Sequence, residues 1–176
     1  SEPVARNTAP CLAFAALEIE RRAPGATFVS VPADHAIADA HEFRATLLEA
    51  LAWAAAEPVA VTIGIRPTAP ETGYGYIRLG RRVAGRTARV RAFIEKPNTS
   101  RARTFVASRE YLWNSGMFAW RTATILELLD RLLPTVTGPI RAALARPMRV
   151  RPTALARAYA KLPSISIDYG VMEHAR

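Results

Sequence analysis

The polar residues that stand where short apolar runs end set what chemistry this chain can attempt. Asp34 follows Thr27-Phe28-Val29-Ser30-Val31 and Pro32-Ala33, and Asp168 stands where Ile165-Ser166-Ile167 meets Tyr169-Gly170-Val171-Met172-Glu173. Taken alone, each aspartate has an ordinary use, capping a turn or a helix. Glu95 and Lys96 close the run Phe93-Ile94 ahead of Pro97, which holds the preceding backbone extended. A lysine placed there offers a compact cation for phosphate oxygens, or else a plain surface ion pair with its neighbour. Gly73 and Gly75 let backbone approach a ligand closely, and they serve an ordinary turn equally well. Asn114 brings two amide donors and one carbonyl acceptor, suited to hydroxyl groups or to a turn. Arg6, Asn7 and Thr8 open a helix, where unpaired backbone amides favour polar or anionic groups, and Thr8 also fits a simple N-cap.

Other chemistries find no support. His35, His41 and His174 have no metal-site spacing among themselves, and no Ser-His-Asp or Cys-His arrangement emerges, so nucleophilic catalysis is not expected. Gly73 and Gly75 are not a dinucleotide fingerprint, because the third glycine is missing and a strand rather than a helix follows.

These residues need elements to hold them. Thr8 to Arg22 carries Leu12, Ala15, Ala16 and Ile19 at helical spacing and ends at Pro24-Gly25. Thr27 to Val31 reads as a buried strand delivering the loop that holds Asp34. His41 to Ala56 reads as a helix and Val59 to Ile65 as a second apolar strand. Strand, helix, strand without polar alternation predicts a parallel sheet covered on both faces, with ligands beyond the carboxyl ends of its strands. A Pro- and Gly-rich loop then leads to strands at Tyr76 to Leu79 and Arg89 to Ile94, expected as an antiparallel excursion. A helix near Ser100 to Arg109 precedes a central strand, Tyr111 to Trp120, interrupted by Asn114-Ser115-Gly116. Helices follow at Thr122 to Leu133, Gly138 to Leu144 and Thr153 to Lys161. No repeat or linker divides the chain, so one domain over residues 1–176 is expected.

Composition narrows the class. Half of the 176 residues are apolar, enough for a sizeable core, and no run is long enough to span a membrane. Single Cys11 permits no internal disulfide, and a reducing cytoplasm is the natural compartment. The formal charge of +9 raises the question of nucleic acid. The arginines are scattered as pairs such as Arg21-Arg22 and Arg81-Arg82, without interleaved aromatics, so no nucleic acid and no membrane partner is expected. A small polyanionic substrate remains compatible with the charge.

Six blocks occur in order along the chain: Arg6-Asn7-Thr8-Ala9-Pro10, Pro32-Ala33-Asp34-His35, Pro70-Glu71-Thr72-Gly73-Tyr74-Gly75-Tyr76-Ile77, Phe93-Ile94-Glu95-Lys96-Pro97, Trp113-Asn114-Ser115-Gly116-Met117-Phe118 and Ile167-Asp168-Tyr169-Gly170-Val171-Met172-Glu173. Each alone is weak. Together they closely resemble the mannose-1-phosphate guanylyltransferases, a sugar nucleotidyltransferase family, over essentially the whole chain.

The resemblance implies an α/β, three-layer, Rossmann-like nucleotidyltransferase (GT-A-like) fold with a mostly parallel mixed sheet. It implies transfer of GMP from GTP to mannose 1-phosphate, giving GDP-mannose and pyrophosphate. Asp34 and Asp168 would hold Mg²⁺, which takes hard oxygen ligands and leaves positions for phosphates and water. Lys96 would contact phosphate; Gly75, Glu95 and Asn114 would line the sugar pocket; Arg6, Asn7 and Thr8 would lie near the nucleotide base. An oligomer of identical chains is compatible with this reading.

Members of the family begin with a strand leading into a Gly-rich, Arg-containing stretch that wraps the triphosphate. That stretch does not occur in these residues, so the expected fold is incomplete at its N-terminus, and the isolated chain is expected to be marginally stable and inactive in transfer. Two alternatives stay open: another sugar-1-phosphate nucleotidyltransferase, and a non-catalytic regulatory subunit of the same fold.

Overall fold

A computed structural model describes residues 2–175, leaving only Ser1 and Arg176, the ends of the expected domain, outside the description. The elements are α1 (Thr8–Arg22), β1 (Thr27–Ser30), α2 (Ala40–Ala56), β2 (Val61–Ile65), β3 (Tyr76–Ala84), β4 (Thr87–Ile94), α3 (Thr99–Ser108), β5 (Tyr111–Arg121), α4 (Thr122–Leu132), α5 (Pro134–Leu144) and α6 (Arg151–Lys161). A π-helical turn, Asp168–Met172, closes the chain.

The sheet is organised around β5, the longest strand. Its Phe118 lies opposite Ser30 of β1 on one side and Thr62 of β2 on the other. Its early residues, Tyr111 to Trp113, pair with β3, which in turn carries β4. The apolar run in β5 is explained by this central position, because a strand with partners on both edges and helices on both faces has no surface to keep polar.

The alternation of β5 side chains sorts the layers. Phe118 and Trp120 point into the main core with Leu12, Ala13, Ala16, Ile125, Leu129, Val136 and Ile140, so α1, α4 and α5 cover that face. Ala119 points the other way, against Ala50 and Ala54 of α2. Small residues on both partners let α2 lie close to the sheet. The three-layer α/β arrangement expected from the sequence is therefore present.

The strand pairing corrects one expectation. A mostly parallel sheet was predicted, yet every ladder among the described residues is antiparallel. β1 and β2 do run in the same direction, as the strand, helix, strand pattern implied, but β5 inserts between them. Periodicity reports that a strand is buried on both faces; it cannot report which strand lies next to it. β1 is an edge strand of the sheet in the described residues, with β5 as its partner.

Two further differences are local. α5 starts at Pro134 rather than Gly138 and carries Pro139 inside it. Gly138-Pro139 reads as a breaker, but Pro134 fits the first helical turn and buried Val136, Ile140, Ala143 and Leu144 form the stripe that holds the helix against the core. The β3–β4 hairpin extends well past Leu79, to Ala84 and back from Thr87, and Arg86 and Thr87 at its tip bond Glu42 and Glu49 of α2.

Candidate active site

Asn114 is placed by a bulge in β5. Between the pairs Thr62↔Phe118 and Gly64↔Asn114, two steps along β2 match four along β5, so β5 carries the extra length. Ser115 stabilises the detour: its hydroxyl donates to the Ile63 carbonyl at 2.7 Å and accepts from the Met117 N–H at 3.2 Å. Gly116 adopts φ +70°, a conformation that costs a glycine little. The expected interruption at Asn114-Ser115-Gly116 is thus a built deformation within a continuous strand.

The consequence is a fixed amide. Asn114 Oδ1 accepts from Thr62 Oγ1 and from the Gly116 N–H, both at 3.2 Å, which directs Nδ2 outward as a donor. Nδ2 donates to Asp168 Oδ1 at 2.6 Å. The Asn114 backbone N–H donates to the Gly75 carbonyl at 2.8 Å. Asn114, Gly75 and Asp168 therefore share one place, as the sequence blocks suggested.

Glu95 and Lys96 join them. A Cβ added to Gly75 would stand 2.6 Å from Glu95 Oε2 and 3.3 Å from Asn114 Cβ, so the glycine is the space between those two side chains. The Glu95 side chain is only 16% exposed, whereas Lys96 is 62% exposed and holds its Nζ 3.0 Å from Glu95 Oε1. Lys96 itself has φ +43°, uncommon for a residue with a Cβ and unlike the extended backbone expected ahead of Pro97. Such strain persists where surrounding contacts over-determine it. One of those contacts is the Glu95 N–H, which donates to Glu173 Oε1 at 2.9 Å.

Asp168 is half-buried. Burial pushes its carboxyl above the usual aspartate range, while the Asn114 hydrogen bond and the charge of Lys96 pull it back only in part. A carboxylate kept partly out of water, facing an ammonium group, is a candidate for binding a cation or a phosphate-bound metal.

The N-terminal block sits beside this cluster in a supporting role. Arg6 O accepts from the Ile165 N–H, the Ala9 N–H donates to Ile165 O, and Thr8 Oγ1 accepts from the Ile167 N–H at 2.8 Å. These bonds clamp the segment that delivers Asp168. Arg6 directs Nε and Nη2 to the carbonyls of Tyr159 and Ala160 at 2.9 and 2.7 Å, capping the C-terminal end of α6. Asn7, at φ +67°, caps α1 by accepting from the Thr8 N–H.

Asp34 is not drawn into the hydrogen-bonded cluster. It is exposed, in the bend after β1, and makes no side-chain hydrogen bond or ion pair among the described residues. Pro32, two residues before it, lies against Gly116, with Cγ 3.4 Å from the position of an added Cβ. Because β1 runs antiparallel to β5, the chain beyond Pro32 heads toward the Asn114 end of β5. No group of three or more His, Cys, Asp or Glu side chains converges on a common point among the described residues. Glu173 and Thr62 are the contributors that sequence reading missed. Glu173 was visible only as the last letter of a block, and Thr62 as one residue of an apolar strand.

A profile of nucleotidyl transferases matches residues 1–151. The chain belongs to the nucleotidyl transferase family. Among curated relatives of this family member, the xanthan biosynthesis protein XanB of Xanthomonas campestris pv. campestris (strain B100) is 45% identical over 98% of the chain. The mannose-1-phosphate guanylyltransferase of Escherichia coli K12 is 42% identical over 98% of it. In both cases the chain spans 37% of the relative's length. Among solved structures, a Thermus thermophilus protein described as a mannose-1-phosphate geranyltransferase superposes with a TM-score of 0.88 at 39% identity, covering 99% of this chain and 49% of its own. The resemblance read from the six blocks and the α/β nucleotidyltransferase fold are therefore borne out. No helix among the described residues is long and apolar enough to cross a membrane.

Proposed function

We propose that this chain carries the sugar-phosphate half of a mannose-1-phosphate guanylyltransferase site. In the reaction, a phosphate oxygen of mannose 1-phosphate attacks the α-phosphorus of GTP in line. The bond to the β-phosphate oxygen breaks, and GDP-mannose and pyrophosphate result. Little covalent chemistry falls to the protein, so positioning and charge stabilisation carry the rate.

The observation that carries this reading is that Asn114 bonds both Asp168, at 2.6 Å, and Gly75, at 2.8 Å, while the Glu95–Lys96 ion pair, 3.0 Å long, stands with Glu95 Oε2 2.6 Å from where a Cβ on Gly75 would lie. Glu95 accepts hydrogen bonds from sugar hydroxyls, Asn114 fixes orientation, and Gly75 leaves the room in which a ring approaches backbone. Lys96, exposed and held near Glu95, swings to the sugar phosphate as a point charge. Asp34 and Asp168 would hold Mg²⁺, which suits a site with few carboxylates because this ion completes its shell with phosphate oxygens and water. When bound, it supplies neutralisation of triphosphate charge.

Calorimetric titration of the chain with mannose 1-phosphate, glucose 1-phosphate and free mannose tests the reading. Saturable binding of mannose 1-phosphate, lost in Glu95→Ala and weakened in Lys96→Ala, is the expected result. Equal affinity for glucose 1-phosphate would overturn the sugar assignment, and no binding of any phosphorylated hexose would overturn the site.

A further inference from the structure

The helices α5 and α6 carry a second concentration of charge that the proposed reaction does not use. From Arg131 to Ile167 the sequence holds seven Lys or Arg residues and no Asp or Glu. Two of them are occupied. Arg141 pairs with Asp130 at 2.6 Å, and Arg151 directs Nε and Nη2 to the Arg146 carbonyl and Nη1 to Met148 Sδ. That second set, together with the Val150 and Arg151 N–H groups donating to Pro147 O, fixes the turn between the helices.

The turn bounds a concavity of about 560 Å³. Arg146, Arg149 and Arg157 line it with Thr153, against an apolar wall that includes Ala142 and Val150. No acidic side chain lines it, and among the described residues none of the three guanidinium groups makes an ion pair. Elsewhere the chain places carboxylates beside arginines, as at Glu18, Glu110, Glu42 and Glu49. Three like charges around one hollow repel one another until an anion arrives.

We infer that this hollow is a binding site for a small molecule carrying two or more phosphoryl groups. The volume suits a small ligand rather than a macromolecular surface. Guanidinium forks match phosphate oxygens in pairs of hydrogen bonds, the Thr153 hydroxyl adds another donor, and the apolar wall accepts a ring or alkyl portion. The site shares none of its residues with the Gly75, Glu95, Lys96, Asn114 and Asp168 cluster, so it stands or falls independently of the transferase reading.

The probe is sodium tripolyphosphate, titrated at constant ionic strength into the isotope-labelled chain while backbone amide shifts are followed. Saturable shifts at Arg149, Thr153 and Arg157 are expected, with affinity falling about tenfold for each guanidinium removed in Arg149→Gln and Arg157→Gln. All three arginines are exposed, so circular dichroism of these variants should match the parent. The combined variant of Arg146, Arg149 and Arg157 should also melt no lower than the parent without ligand, since only repulsion is removed. Shifts no larger than those caused by sulfate would overturn the site. So would shifts centred on Lys96 and Asp168 with the groove silent, or a response to a short oligonucleotide but not to tripolyphosphate.

Discussion

The backbone N–H of Glu95 ends on the carboxylate of Glu173, 2.9 Å away. This one bond ties the turn that carries Lys96 to the helical segment that begins at Asp168, although 78 positions separate the two residues. The Lys96 turn and the half-buried Asp168 carboxylate are thereby held in register by Glu173.

Replacing it should loosen the Lys96 turn. Glu173→Ala is expected to weaken mannose 1-phosphate binding by about tenfold, the size of one hydrogen bond to a charged acceptor. Glu173→Gln keeps an accepting oxygen and should stay within about threefold of the parent. Calorimetry on both variants checks this, and equal losses would show that charge rather than anchoring matters.

Gly75 is required for space. The added methyl in Gly75→Ala would meet Glu95 Oε2 at 2.6 Å, displacing the carboxylate from the place it occupies. Affinity for mannose 1-phosphate should fall by a factor on the order of ten to a hundred while the thermal midpoint stays near the parent's, because a side chain rather than backbone must move. A parent-like affinity would remove Glu95 from the sugar site.

Burial raises the pKa of Asp168 despite Asn114 and Lys96. A carboxyl with a raised folded pKa adds stability below the ordinary aspartate range, and that contribution is lost as pH rises through the raised value. Asp168→Asn has no charge to bury and still offers an oxygen to the Asn114 amide. Its melting temperature should exceed the parent's by a few degrees at neutral pH, with the gap closing in acid. A gap independent of pH would contradict the assignment.

Thr8→Val should destabilise the fold by about 1–3 kcal/mol, because the Ile167 N–H loses its acceptor beside a buried side chain. Thr8→Ser should recover most of the loss. Denaturant midpoints measure both.

Much of this was legible in the sequence, for identifiable reasons. The helices α1, α2 and α4 announced themselves because apolar residues recur on one face, and β1, β2 and β5 because short apolar runs end in turn residues. The co-location of Gly75, Glu95, Asn114 and Asp168 was readable only from the order of six blocks. What stayed hidden depended on contacts between distant segments. No local pattern shows that β5 divides β1 from β2, or that the Asn114 amide is aimed by Thr62. Nor does any local pattern show that Arg6 bonds the Tyr159 and Ala160 carbonyls at the end of α6, because only the fold brings those carbonyls to it.

The proposed site has Asp34 and Asp168 serving one divalent cation at the edge of the Lys96 and Asn114 cluster. Paramagnetic relaxation by Mn²⁺, with GTP present, measures it most directly through the backbone amides of the two aspartates. Concerted broadening is expected at both positions, reversed by excess Mg²⁺ and abolished together by Asp168→Asn. Broadening at Asp168 that leaves Asp34 sharp, or persists without Asp168, would contradict it.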